Sequence, residues 1–195
     1  MWTYIKQSFM AFFYLLFMIT TSYAISVLEE KFFILQIVLA IANLLLYFVI
    51  LAGASFKDGE QALKVRNVND LKRQEIIRTG EDIKLKIHEE YAPWKGFLAG
   101  FIACVPLILC LIIHSILLFS GSSVDFFGQA AGIIYNGFFV LVRIFSDITP
   151  YSYYWALLCI PFIVGLSGVP YMLGARKIEL QQERIKETHK LIHGE

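Results

Sequence analysis

Residues 96–119 read GFLAGFIACVPLILCLIIHSILLF, with no charged side chain and a single histidine, His114. The uncharged run extends further, with 29 residues separating Lys95 from Asp125. A helix rises about 1.5 Å per residue, so about 20 apolar residues cross the roughly 30 Å of bilayer hydrocarbon. This run predicts a membrane-spanning helix.

Three more runs have the same character. Twenty-two uncharged residues lie between Lys6 and Glu29, 25 between Lys31 and Lys57, and 28 between Asp147 and Arg176. Four spans follow, near 8–28, 32–54, 96–119 and 154–175. The 195 residues are 57% apolar and 17% charged, with a mean hydropathy of +0.63. Soluble domains average roughly 45–50% and about 25%. The composition excludes disorder, which needs low hydrophobicity and high net charge. A net charge of +1 supplies no basic face for nucleic acid. The length excludes a large multidomain enzyme.

The first run has the outline of a secretory signal, with Lys6 ahead of Phe9–Ile19 and a small-x-small site at Ser22-Tyr23-Ala24. It stays apolar through Ile25, Val27 and Leu28, which is long for a signal core. The reading is a retained first span, joined by a very short link to the second in a tight antiparallel hairpin.

Segment 126–145 is apolar but carries Gln129, Gly132, Asn136 and Arg143 on one helical stripe. It reads as an outer amphipathic or re-entrant helix. A fifth span, or a stripe lining a pore, is the alternative. Charge favours four spans. Lys and Arg of short loops stay on the cytoplasmic side. Segment 55–95 holds nine of the 17 basic residues and the tail 176–195 holds five. With four spans, both segments and the N-terminus share the cytoplasmic side; five would export the tail. Trp2, Tyr4, Tyr91 and Trp94 would mark the inner interface, and Tyr151, Tyr153, Tyr154 and Trp155 the outer one.

The expected organisation is therefore a hairpin over 1–54, a charged cytoplasmic loop over 55–95, the third and fourth spans within 96–175, and a helical tail over 176–195. In the third span Gly96, Gly100 and Cys104 recur every four residues, with Ala99 and Ala103 beside them. Small residues at that spacing let helices approach closely in lipid, where van der Waals packing drives association. Pro106 should kink this helix, and Pro161 and Pro170 the fourth. In the loop, Asn69 or Asp70 is placed to cap a helix that Gly80 ends. Ile83, Leu85 and Ile87 then alternate with polar residues, as in a strand, or belong to a frayed helix. In the tail, Ile178, Ile185 and Ile192 recur every seven residues.

Candidate chemistry is sparse. Cys104, Cys110 and Cys159 lie in apolar runs and read as buried thiols. His189 and His193 have a metal-compatible i, i+4 spacing, but the glutamate of an HExxH site is absent. His114 lies mid-span, where an ionisable group marks a functional position or a neutral ring bonded to a neighbouring helix. Gln36, Asn43 and Asn136 are amides able to pair across helices. Arg143 and Asp147 form an i, i+4 pair at the outer edge.

These readings predict an all-α integral membrane protein with four transmembrane helices, both termini cytoplasmic, and no cofactor or metal. The expected role is non-catalytic: a subunit or scaffold of a membrane complex, with the lipid bilayer as solvent and a homo-oligomer or membrane-protein partner. Substituting Gly100 would then disrupt assembly. The alternative is an oligomeric channel or small transporter with His114, Gln129, Asn136 and Arg143 as pore candidates.

Overall fold

The structure is a computed structural model that describes residues 2–26, 33–120, 157 and 159–193. Its regular elements are α1 (Trp2–Ser26), α2 (Phe33–Thr79), α3 (Trp94–Phe119) and α4 (Cys159–His193). A 3-10 turn, Ile87–Glu89, lies in the connector between α2 and α3. No strand occurs among the described residues. Segment 126–145, with Gln129, Asn136 and Arg143, and the Arg143–Asp147 pair lie outside them.

Two helices, Phe33–Thr79 and the Trp94–Leu117 portion of α3, are long and apolar enough to cross a membrane. The most apolar window is only 22% buried in the first and 39% in the second, whereas a soluble core helix is mostly buried. Ile34 and Val49 of α2 are 78% and 70% exposed.

The expected loop over 55–95 is mostly helix. α2 runs unbroken for 47 residues, about 70 Å at 1.5 Å per residue. Its second half is rich in Lys, Glu, Gln, Arg and Leu, all good helix formers, so nothing local stops the helix at the end of its apolar half. Asn69 and Asp70 consequently sit inside α2 and cap nothing. Gly80 does end the helix: it adopts φ +72°, and its N–H donates to the Ile76 carbonyl at 2.8 Å. The alternation at 83–88 forms no strand, because no neighbouring strand exists among the described residues to receive its backbone bonds.

α4 carries the fourth apolar run into the charged tail as one 35-residue helix. Helices α3 and α4 are continuous through Pro106 and Pro170. Each proline forfeits one bond, to the carbonyls of Ile102 and Leu166 respectively.

Contacts set the direction of each helix. α1 and α2 are antiparallel: Thr21 Oγ1 donates to Asn43 Oδ1 at 2.9 Å and Asn43 Nδ2 to the Met18 carbonyl at 3.2 Å, while the earlier Met10 and Tyr14 line one cavity with the later Leu51 and Asp58. Asn43 thus bonds to α1. α3 and α4 are antiparallel, with Gly96 against Tyr171 and Gly100 against Ser167. α2 and α4 are parallel: Ser55 meets Ser167, Gly59 meets Tyr171, and Glu60 meets Lys177. The core lies where the apolar halves converge, around Leu15, Met18, Leu51, Cys104, Leu107 and Ile163. Beyond it the charged halves of α2 and α4 continue side by side as a two-helix stalk, packed at its base by Leu63, Ala175 and Ile178.

Candidate functional site

The stalk base is where polar and charged side chains concentrate. It starts at a backbone crossing. A Cβ on Gly59 would lie 1.9 Å from the Tyr171 carbonyl oxygen, and one on Gly174 would lie 2.0 Å from that of Phe56. Each helix contributes one glycine to the other's backbone. Where α3 packs on α4, Gly96 of α3 faces the Tyr171 ring and Gly168 faces the Phe97 ring. Four-residue ridges mediate both contacts, Ser55–Gly59–Leu63 on α2 and Ser167–Tyr171–Ala175 on α4.

The α2–α3 connector folds back onto this crossing. The Tyr91 N–H donates to the Ala62 carbonyl at 3.1 Å, and the Tyr91 ring stacks on Tyr171 with centroids 5.4 Å apart. Burial raises the Tyr91 phenol above its ordinary pKa. Asn69, 2% exposed, holds both sides of the connector. Its Nδ2 donates to Glu90 Oε1 at 2.8 Å, and its Oδ1 accepts from the Lys86 N–H at 3.3 Å. Arg73 donates to Glu90 Oε1 and to Asp70 Oδ1, both at 2.6 Å. Burial raises the Glu90 carboxyl, but the bonds from Arg73 and Asn69 outweigh it and leave the group below the ordinary carboxylate range. Those two carboxylates, Glu90 and Asp70, raise the Arg73 guanidinium. Lys95, at the start of α3, is buried and donates its ammonium to the carbonyls of His88 (3.2 Å) and Glu90.

A second bridge lies across the stalk. Lys177 Nζ donates to Glu60 Oε1 at 2.6 Å and sits 5.4 Å from the Phe56 ring centroid. The bond from Lys177 holds the Glu60 carboxyl below its ordinary pKa. Just inside the crossing, the Ser55 and Ser167 hydroxyls are 3.4 Å apart. They border a cavity of about 30 Å³ that Tyr14, Asp58 and Gly96 also line. This volume accommodates a water molecule.

The residues singled out in the sequence are placed as follows. His114 is 2% exposed within α3. Gly96, Ala99, Gly100, Ala103 and Cys104 are all buried. The close approaches of Gly96 and Gly100 are to this chain's own α4, at Tyr171, Ser167 and Val164, so a bulky residue at Gly100 strikes the fold itself before any assembly. Ile178 is buried, whereas Ile185 and Ile192 are exposed, so the seven-residue pattern packs only at its first member. Cys104 and Cys110 are free thiols. His189 is exposed, and the described residues contain no group of three or more metal-ligating side chains. Sequence reasoning took Asn69 for a helix cap and missed Glu90 and Lys95; the roles of all three depend on a connector folding back over some 20 residues. It also missed Gly59 and Gly174. The Ser55–Gly59 spacing was the available signal.

Among the described residues the arrangement positions no nucleophile beside a base. Its chemistry is that of a rigid joint: charged groups tied to one another, with an exposed helical pair beyond. No protein family, no curated protein and no solved structure matches the chain.

Proposed function

We propose that the chain is a non-catalytic multi-pass membrane protein that presents the α2–α4 stalk as a docking surface for a membrane complex. Four spans, at 8–28, 32–54, 96–119 and 154–175, place the bilayer around the apolar halves of the helices. The observation that carries this reading is the parallel pairing of α2 and α4, fixed at Glu60–Lys177. It brings the two lysine- and arginine-rich stretches to the same end of the bundle, as the retention of basic loops in the cytoplasm requires. Exposed apolar side chains on the stalk, among them Leu71, Ile77, Ile185 and Leu191, supply contact area for a partner. That partner is a second copy of the chain or another membrane protein. The channel alternative draws three of its four lining residues from outside the described residues, and no observation favours it.

The test has two parts. Single cysteines at Lys72 and Lys190, in a background with Cys104, Cys110 and Cys159 replaced, are labelled with an impermeant maleimide. Both should react only after the cells are permeabilised; labelling from opposite faces overturns the topology. The native mass of the solubilised protein should exceed the 22.3 kDa of one chain, and Leu71→Asp with Ile185→Asp should reduce it. A monomer with no partner overturns the docking role.

A further inference from the structure

At the level where α4 leaves its apolar half, a groove of about 550 Å³ opens between α4 and α2. Phe56, Leu173 and Leu180 line it with apolar surface, and Arg176, Lys177 and Arg184 line it with cations. We propose that this groove binds the headgroup of an anionic phospholipid in the adjoining leaflet, with Arg176 and Arg184 on the phosphate and Phe56 and Leu173 against the upper acyl chain.

Four observations support this occupant. First, Arg176 and Lys177 are the first charges after the 28-residue uncharged run, which sets them at the edge of the hydrocarbon on the four-span reading. Second, side chains of an α-helix tilt toward its N-terminus. The N-terminal half of α4 is its apolar half, so Arg176, Lys177 and Arg184 reach back toward the lipid. Third, Arg176 and Arg184 carry no ion pair among the described residues, while Lys177 is held at the groove wall by Glu60 at 2.6 Å and by the Phe56 ring. Two guanidiniums are therefore available for bidentate contact with phosphate oxygens. Fourth, the apolar lining continues into Val169 and Met172, which are exposed on the span. A soluble anion uses only the cations, whereas a phospholipid also covers this surface. Basic pockets between helices on the cytoplasmic side suit anionic headgroups for the same reason.

The inference rests on the membrane reading, and the two fail separately. Full-length protein in mild detergent is mixed with equal amounts of phosphatidylglycerol and phosphatidylcholine of the same chain length, and retained lipid is counted by native mass spectrometry. The wild type should retain phosphatidylglycerol preferentially. Arg176→Gln with Arg184→Gln should lower that preference by about thirtyfold, the scale expected for two cations at a membrane surface. Arg176→Lys with Arg184→Lys should keep most of it, and Lys186→Gln with Lys190→Gln, further along the tail, should leave it unchanged. Equal retention of the two lipids by the wild type overturns the proposal. So does an unaltered preference in the double glutamine variant, or one abolished by millimolar inorganic phosphate, which would mark a site for free anions. Release of the wild-type chain from membranes by alkaline carbonate would instead overturn the membrane reading beneath it.

Discussion

Gly59 of α2 and Tyr171 of α4 meet backbone to backbone, so closely that a single methyl group at Gly59 would lie 1.9 Å from the Tyr171 carbonyl oxygen. The neighbour is main chain, which cannot swing aside as a side-chain tip can. The axes of the two longest helices are therefore set by the absence of one Cβ on each, at Gly59 and Gly174.

Gly59→Ala and Gly174→Ala should each push the helices apart and lower stability by about 1–3 kcal/mol, the range for overpacking a tight contact. At Gly53, also in α2, a Cβ would meet nothing within 4 Å. Gly53→Ala should be neutral or stabilise by about 0.5–1 kcal/mol through helix propensity. Thermal unfolding in detergent separates the three. Equal effects at Gly53 and Gly59 would refute the close crossing.

The Glu90 carboxyl, held below its ordinary pKa by Arg73 and Asn69, makes the connector pH-sensitive. A depressed carboxylate stabilises the fold fully above its unfolded-state value, about 4.3 for glutamate. The contribution is lost as pH falls through the lower folded-state value. The unfolding midpoint of the wild type should exceed that of Glu90→Gln at pH 7, and the gap should close toward pH 3. A gap that is constant with pH would show that Glu90 acts only by its shape.

The parallel pairing of α2 and α4 predicts a particular set of cross-links. Leu71 and Ile185 border the same groove on the stalk. In the cysteine-replaced background, Leu71→Cys with Ile185→Cys should be joined by a short bifunctional maleimide. Leu71→Cys with Phe162→Cys, a pair that an antiparallel arrangement would bring together, should not. The reverse pattern would invert the topology.

The connector is anchored by the Tyr91 ring on Tyr171 and by the Tyr91 N–H on the Ala62 carbonyl. Tyr91→Ala should cost about 1–3 kcal/mol, combining lost stacking with partial loss of buried area. Amide exchange between residues 83 and 92 should accelerate while that of α3 beyond Gly100 stays slow. Unchanged protection in the connector would mean that the polar bonds of Asn69 and Arg73 hold it unaided.

The ends of the apolar runs were legible because the penalty for placing Lys, Arg, Asp or Glu in an apolar helix is local to that residue. Gly80 was legible as a helix end for a similar reason: few residues other than glycine adopt a positive φ. Asn69 was not legible, because its type suits a cap as well as a buried amide. Its burial in α2 depends on Glu90 and Lys86 returning to meet it, and no window of sequence around Asn69 contains that information.

The sequence alone determined where the chain is apolar, where it is charged, that its elements are helical, and that the tail extends the last of them. Only the tertiary structure decided that α2 and α4 run parallel, that Gly59 and Gly174 form their crossing, and that Arg176, Lys177 and Arg184 share a groove with Phe56. Composition and propensity act residue by residue along the chain, whereas pairing depends on which two surfaces, more than a hundred residues apart, have shapes that allow them to touch.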